Sequence, residues 1–260
     1  MKKRLDLILT ELGYFETKAK AAANILAGNV KIAGEPARKA GELYNPEIFE
    51  GDTPILIEVK SMPFVSRGGL KLNALIKHFD INLKDRVAID IGASTGGFVD
   101  CMLQAGAKYV YAVDVGYNQL AWKLVSDSRV KNIEKTNAKN CSFADIFGCD
   151  KEEFKGELPS FMSMDLSFIS IEKVLANVLN FVSDDAEFGF LIKPQFEAKK
   201  NEVKKGGLIV DEDIRLGIVE NVKQYAESLG LQTIGVIESP ILGSKSGNKE
   251  FLIYLKRQLN

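Results

Sequence analysis

The sequence predicts an α/β protein in which a small α+β unit precedes a mostly parallel, seven-stranded sheet flanked by helices. Three observations carry that expectation. Seven apolar runs rich in β-branched and aromatic residues alternate with stretches of helical period. The last two runs, "TIGVIESP" and "EFLIYLKR", have no helix between them, so the final strand is antiparallel. The first sixty residues follow a different rhythm, two short helices and then strand-like segments. At 260 residues, 46% hydrophobic, the chain is long enough for a medium domain and a small one, each with its own core.

In the small unit, Leu5, Ile8, Leu9 and Leu12 recur at helical spacing and Gly13 stops the run. Thr17 caps a second helix that runs through "KAKAAANIL" to Gly28. "VKIAG" turns at Gly34, and "PILIEV" is a strand behind the Gly51-Asp52 turn. Up to residue 40 there are 8 Lys and Arg against 4 Asp and Glu, a balance of 8 − 4 = +4, although the whole chain carries −1. Nucleic-acid binding must therefore come from local clusters and not from a global basic field. The division expected is residues 1–60, a connector 61–66 around Pro63, and residues 67–260.

In the large unit the strands expected in order are "VAIDIG", "YVYAVDVG", "VKNIEK", "FMSMDLSF", "EFGFLIKPQF" and the final two runs. Helices are expected over "GFVDCMLQAG", "SIEKVLANVLNFV" and "DIRLGIVENVKQYAESLG". Three cysteines, Cys101, Cys141 and Cys149, with no CxxC spacing and a single histidine, His78, predict reduced thiols, no disulfide framework and no metal. Asp6, Thr10 and Glu11 interrupt the apolar run after "MKKR", and no run approaches the ~20 apolar residues of a membrane span, so the expected setting is cytoplasmic.

"AIDIGASTGG" is a strand that breaks into glycines where ligands bind in open α/β sheets, beyond the strand's C-terminal end. Gly92, Gly96 and Gly97 are spaced GxxxGG and not GxGxxG, which weakens a pyrophosphate reading. Asp90, inside the strand, suits the ammonium of an amino-acid-like ligand. Asp114, 24 residues on at the end of the next strand, stands near the offset at which a carboxylate meets ribose hydroxyls. A ligand with both features is S-adenosylmethionine. Its expected contacts are Asp90, Gly92, Ser94, Gly96, Gly97 and Phe98 around the turn, with Asp114, Asn137 and Asp165 beyond it.

Four titratable residues fall at predicted element ends on the same sheet edge: Lys71 in "SRGGLK", Asp165 in "SMDLSFIS", Lys193 in "LIKPQFE" and Glu250 in "GNKEFLIY". A ribose 2′-hydroxyl is a very weak acid, so its methylation needs a base held at the oxygen, and a neutral lysine amine serves. Lys193 is assigned as that base, Lys71 as a neighbouring cation that favours the neutral amine, and Asp165 and Glu250 as orienting carboxylates.

"SRGGLKL", "DIGASTGGFVD", "AVDVG", "TNAKN", "MDLSFIS", "LIKPQFE" and "GNKEFL" together resemble the TlyA family, also labelled hemolysin A, whose catalytic domain is similar to FtsJ/RrmJ-type 2′-O-methyltransferases. The resemblance implies a Rossmann-like class I methyltransferase domain, a Lys-Asp-Lys-Glu tetrad on Lys71, Asp165, Lys193 and Glu250, and cytidine ribose in ribosomal RNA as substrate. Ribosomal RNA or ribosomal subunits are then the partners. Relatives tend to read "NARN" where this chain has "NAKN", so Lys139 carries less weight than Asn137. The first sixty residues resemble a small RNA-binding fold first seen in a small-subunit ribosomal protein. Arg4, Lys18, Lys20, Lys31 and Arg38 are its expected phosphate contacts, joined by Arg67 near the connector. In "EAKKNEVKKGG", Lys199, Lys200, Lys204 and Lys205 suit a loop that closes over RNA phosphate. The competing readings are a membrane-active cytolysin, which the composition disfavours, and a ribosome-assembly protein with a dead site, which the intact tetrad disfavours.

Overall fold

The computed structural model describes residues 1–59, 62–199, 201–204, 206–243 and 247–258. It falls into two compact units, Met1–Met62 and Pro63–Asn260.

In the first unit the helices are Leu5–Glu11 and Lys18–Leu26, and the Thr17 hydroxyl accepts from the Lys20 N–H at 3.2 Å, capping the second. Strand Val30–Ile32 pairs antiparallel with Glu35–Pro36 on one side and Ile57–Val59 on the other. Lys3–Arg4 pairs with Leu43–Tyr44 as a second small sheet. Two residues are too short to leave a period in the sequence, which is why that sheet was not foreseen. Leu5, Ile8, Leu9, Ala21, Ile25 and Val30 form the core. Asp6 is buried at the edge of that core, and the Arg4 guanidinium donates to both its oxygens, at 3.1 and 2.7 Å. That fork holds the Asp6 carboxyl below the ordinary carboxylate range, against the opposing effect of burial.

In the second unit the strands are β1 (Val87–Ile91), β2 (Tyr109–Val113), β3 (Val130–Ile133), β4 (Phe161–Met164), β5 (Glu187–Ile192), β6 (Leu231–Glu238) and β7 (Phe251–Arg257). They form one sheet in the order 3-2-1-4-5-7-6. Strands β1 to β5 run parallel, and β7 is antiparallel to both β5 and β6. Every residue of β1 is buried, as a strand covered on both faces requires, so this strand reads as a continuous apolar run broken only by Asp90. Helix α1 (Gly68–Phe79) and α2 (Gly97–Gln104) pack together through a core that includes Leu72, Leu75, Val99 and Met102, and α3 (Glu212–Ser228) covers the other core.

The helix expected over "SIEKVLANVLNFV" is instead three short turns, Ile171–Lys173, Leu175–Val178 and Leu179–Phe181. The first break falls at Val174, whose φ of −118° lies outside the helical region. Apolar side chains still reach the core from each turn, so the burial pattern imitates one helix while the backbone does not form it. Among the described residues no helix is long and apolar enough to cross a membrane.

Phe190 is fully buried on β5. Phe190→Ala is expected to lower stability by about 3–5 kcal/mol, read as a reduced denaturant midpoint with an unchanged slope.

Candidate active site

The parallel strands end together, and the loops leaving β1, β2, β4 and β5 meet there with the residues that lead into β7. Gly92 follows β1 with φ 87°, and its N–H donates to the Val113 carbonyl at 2.8 Å. A Cβ at Gly92 would stand 2.5 Å from the Asp165 carbonyl oxygen, so only glycine lets the loops after β1 and β4 touch. At Gly97, the first residue of α2, a Cβ would lie 2.3 Å from the Ser66 hydroxyl oxygen and 2.8 Å from the Gly69 nitrogen. That approach brings the start of α1, with Lys71, against the glycine turn.

Asp90 faces Ser163 across the β1–β4 register, and the Ser163 hydroxyl donates to its Oδ1 at 2.7 Å. Its Oδ2 is buried and has no hydrogen-bond partner among the described residues. Burial pushes the Asp90 carboxyl up to about 7; the Ser163 bond opposes the shift, and the charges of Asp165 and Asp114 add to it. Asp114 is held differently. Its Oδ2 accepts from the Ser94 N–H at 2.7 Å and its Oδ1 from the Gly116 N–H at 2.6 Å, which ties the loops after β1 and β2 together. Ser94 takes φ 48° to make that bond.

The four residues assigned to chemistry form two ion pairs. Lys193 Nζ, just after β5, lies 2.5 Å from Asp165 Oδ1 and donates to the Ser167 hydroxyl at 3.0 Å. Lys71 Nζ on α1 lies 2.5 Å from Glu250 Oε2, and both side chains are buried. Each lysine thus has its own carboxylate. Both pairs, with Asp90, Gly92, Ser94, Gly97, Phe98 and Arg67, line a cavity of about 370 Å³. A second cavity of about 380 Å³ shares Gly92, Ser94, Asp165 and Ser167 with it. Asp114 and Asn137 line this second cavity together with apolar Ile91, Leu166, Ile169 and Val174.

Gly96 is the exception in the turn, since it lines neither cavity. It needs to be glycine because φ is 93° and because a Cβ would meet Leu124 and Leu120 at 2.3 and 2.7 Å. Of the expected phosphate contacts, Lys18, Lys20, Lys31 and Arg38 are exposed on the small unit; Lys20 pairs with Glu16, and Lys31 with Glu58 at 3.7 Å. Arg4 is also exposed and pairs with Asp6. Arg67 is exposed on the wall of the first cavity, Lys199 and Lys204 are exposed, and Lys200 and Lys205 lie outside the described residues.

Sequence reasoning missed three supporting residues. Ser163 leaves no signal beyond a polar residue in an apolar strand. Glu197 accepts from the Ile171 N–H at 3.0 Å and so joins the loops that carry Asp165 and Lys193; burial raises its carboxyl. Buried Asn248 accepts from the Ile209 N–H at 3.0 Å and donates to the Gly207 carbonyl at 2.7 Å, fixing the end of the lysine-rich loop beside Glu250. Among the described residues no group of three or more His, Cys, Asp and Glu is placed to hold a metal ion.

The model of FtsJ-like methyltransferases matches residues 64–257. The chain belongs to that family. This FtsJ-like methyltransferase is 39% identical over 257 residues to the "16S/23S rRNA (cytidine-2'-O)-methyltransferase TlyA" of Mycobacterium tuberculosis, covering 98% of this chain and 90% of that protein. It is 40% identical over 252 residues to "Hemolysin A" of Brachyspira hyodysenteriae, covering 96% and 98%. Among solved structures, a protein from Streptococcus thermophilus with a hemolysin label superposes with TM-score 0.73 at 38% identity, over 99% of this chain and 89% of that one.

The Asp90 shift gives this methyltransferase a pH signature. A folded-state carboxyl raised to about 7 binds a proton that the unfolded chain has released, so its contribution is present at low pH and lost as pH rises through 7. Asp90→Asn is therefore expected to stabilise the ligand-free protein more at pH 8 than at pH 5, by on the order of 2 kcal/mol in denaturant titrations.

Proposed function

We propose that the protein transfers a methyl group from S-adenosylmethionine to the ribose 2′-hydroxyl of cytidine in ribosomal RNA, using Lys193 as the base. The observation that carries this reading is the Lys193–Asp165 pair at the strand ends, facing a polar cavity beside the glycine turn. The Mycobacterium tuberculosis relative is by name a 16S/23S rRNA (cytidine-2'-O)-methyltransferase, and its similarity extends over nearly the whole chain.

The residues fit that donor. Asp90 presents to an ammonium group a buried oxygen with no partner among the described residues, and Gly92 lets the loops after β1 and β4 close around the site. Asp114, held rigid by two backbone N–H groups, suits ribose hydroxyls, and the apolar wall of Ile91, Leu166, Ile169 and Val174 suits a purine. When bound, S-adenosylmethionine supplies a methyl carbon made electrophilic by its sulfonium.

The protein's part is to hold the acceptor oxygen and remove its proton. Lys193, as the base, would take the 2′-hydroxyl proton while the oxygen's electron pair forms the bond to the methyl carbon and the carbon–sulfur bond breaks, its electron pair leaving with sulfur as S-adenosylhomocysteine. Asp165, 2.5 Å away, stabilises the ammonium that results, and Ser167 fixes the direction of the amine. Lys71 and Glu250 form a buried pair in the wall, so the second lysine acts on the acceptor site as part of a dipole with a fixed direction. Alignment of oxygen and methyl in one enclosed site supplies much of the remaining acceleration.

Lys193→Ala is expected to cut methyl transfer to ribosomal RNA by at least about a hundredfold while S-adenosylmethionine binding, followed by calorimetry, changes little. Full activity in that variant would remove Lys193 from the role of base.

The small unit's exposed lysines and Arg38 are assigned to phosphates, which position RNA without reading its sequence. Lys31→Ala and Arg38→Ala are each expected to lower the slope of log binding constant against log salt by about 0.7–0.9. An unchanged slope in both would move the RNA contact elsewhere.

A further inference from the structure

The chain has a single tryptophan, Trp122, and it is 79% exposed. An indole so open to water gains nothing from the fold, yet its neighbours are firmly seated. Leu120 and Leu124 are buried against the glycine turn, and the Ala121 N–H donates to the Thr95 carbonyl at 3.1 Å. Thr95 lines the first cavity, and Val115 and Gln119, earlier in the same segment, line the second. The segment from Val115 to Val125 therefore forms one rim of the whole site, and it turns Trp122 outward on a rigid base.

That rim carries further apolar surface and positive charge. Tyr117 is 67% exposed and Val115 71%. Lys135 Nζ stands 4.4 Å from the centre of the Tyr117 ring. The cations beside these rings are Lys135 and Lys123, the latter ion-paired with Asp100 at 3.0 Å; Arg129, at the far end of β3, is held by Asp127. Exposed aromatic rings among cations match the chemistry of unpaired nucleic acid, whose bases stack on ring faces while phosphates meet the cations. A protein partner would match the apolar surface, but this rim borders the two cavities assigned to the donor and the target ribose, so the chain next to it is the RNA that carries that ribose.

We propose that Trp122, with Tyr117 beside it on the rim, is a stacking platform for unpaired nucleotides that flank the target ribose. The proposal rests on the RNA methyltransferase reading and adds to it a surface for the RNA outside the reacting nucleotide. Trp122 is a binding residue on this account and takes no part in the chemical step.

Because Trp122 is the only indole, it reports its own contacts. Adding protein-free ribosomal RNA to the full-length protein is expected to quench its fluorescence and to shield it from acrylamide. Trp122→Ala is expected to raise KM for ribosomal RNA by about tenfold, with Trp122→Phe restoring most of the loss, while kcat and the Kd for S-adenosylmethionine change by less than about threefold. An unchanged KM in Trp122→Ala, with no quenching in the wild-type protein, overturns the proposal while leaving the methyltransferase reading intact. Shielding that depends on protein concentration and not on RNA also overturns it, and identifies the rim as a contact between copies of the chain. Absence of any methyl transfer by the wild-type protein to ribosomal RNA or to ribosomal subunits instead defeats the underlying reading.

Discussion

At Gly92 the chain after β1 runs so close to the Asp165 carbonyl that a methyl group would not fit between them. This contact brings two parallel strand ends to van der Waals distance and sets the spacing of the carboxylates behind and beside them. Asp90 lies two residues before the contact, and Asp165 contributes to it through its own backbone. A side chain at position 92 would separate the loops and open both cavities at their shared wall. The glycine turn thus matters less as a flexible element than as a place where two backbones touch.

Once those loops meet, electrostatics determine what each carboxylate does. Asp90, Asp114 and Asp165 converge on one small region, and the fold treats each differently. Asp114 accepts from two backbone N–H groups and Asp165 has the Lys193 ammonium 2.5 Å from its Oδ1, while Asp90 has Ser163 on one oxygen and no partner among the described residues on the other. The least satisfied of the three is the one whose burial costs most in the charged form, and it is the one placed to gain a cationic ligand. The lysines are divided in a similar way: both pairs line the cavity, but Lys71–Glu250 is the more deeply buried and Lys193–Asp165 the more open.

Much of this was legible in the sequence because strands and their ends leave strong patterns. The seven strands, the antiparallel last strand and the placement of Lys71, Asp165, Lys193 and Glu250 at one edge all follow from runs of apolar residues that stop at polar ones. Pairing was not legible. Nothing in the order of residues says that Lys71 meets Glu250, 179 positions away, or that Lys193 belongs to Asp165. Ser163, Glu197 and Asn248 were missed for the same reason, since each acts through a contact made only by tertiary folding. Gly96 was grouped with its neighbours because spacing cannot distinguish a glycine that faces a ligand from one that faces Leu120 and Leu124.

The central claim is that the methyl group arrives on a ribose oxygen. Wild-type protein incubated with labelled S-adenosylmethionine and ribosomal RNA, followed by alkaline hydrolysis, tests it directly, because a 2′-O-methyl group blocks cleavage of the adjacent phosphodiester. The account predicts label in alkali-resistant dinucleotides whose 5′ residue is cytidine. Label recovered in mononucleotides, as methylation of a base would give, would contradict it.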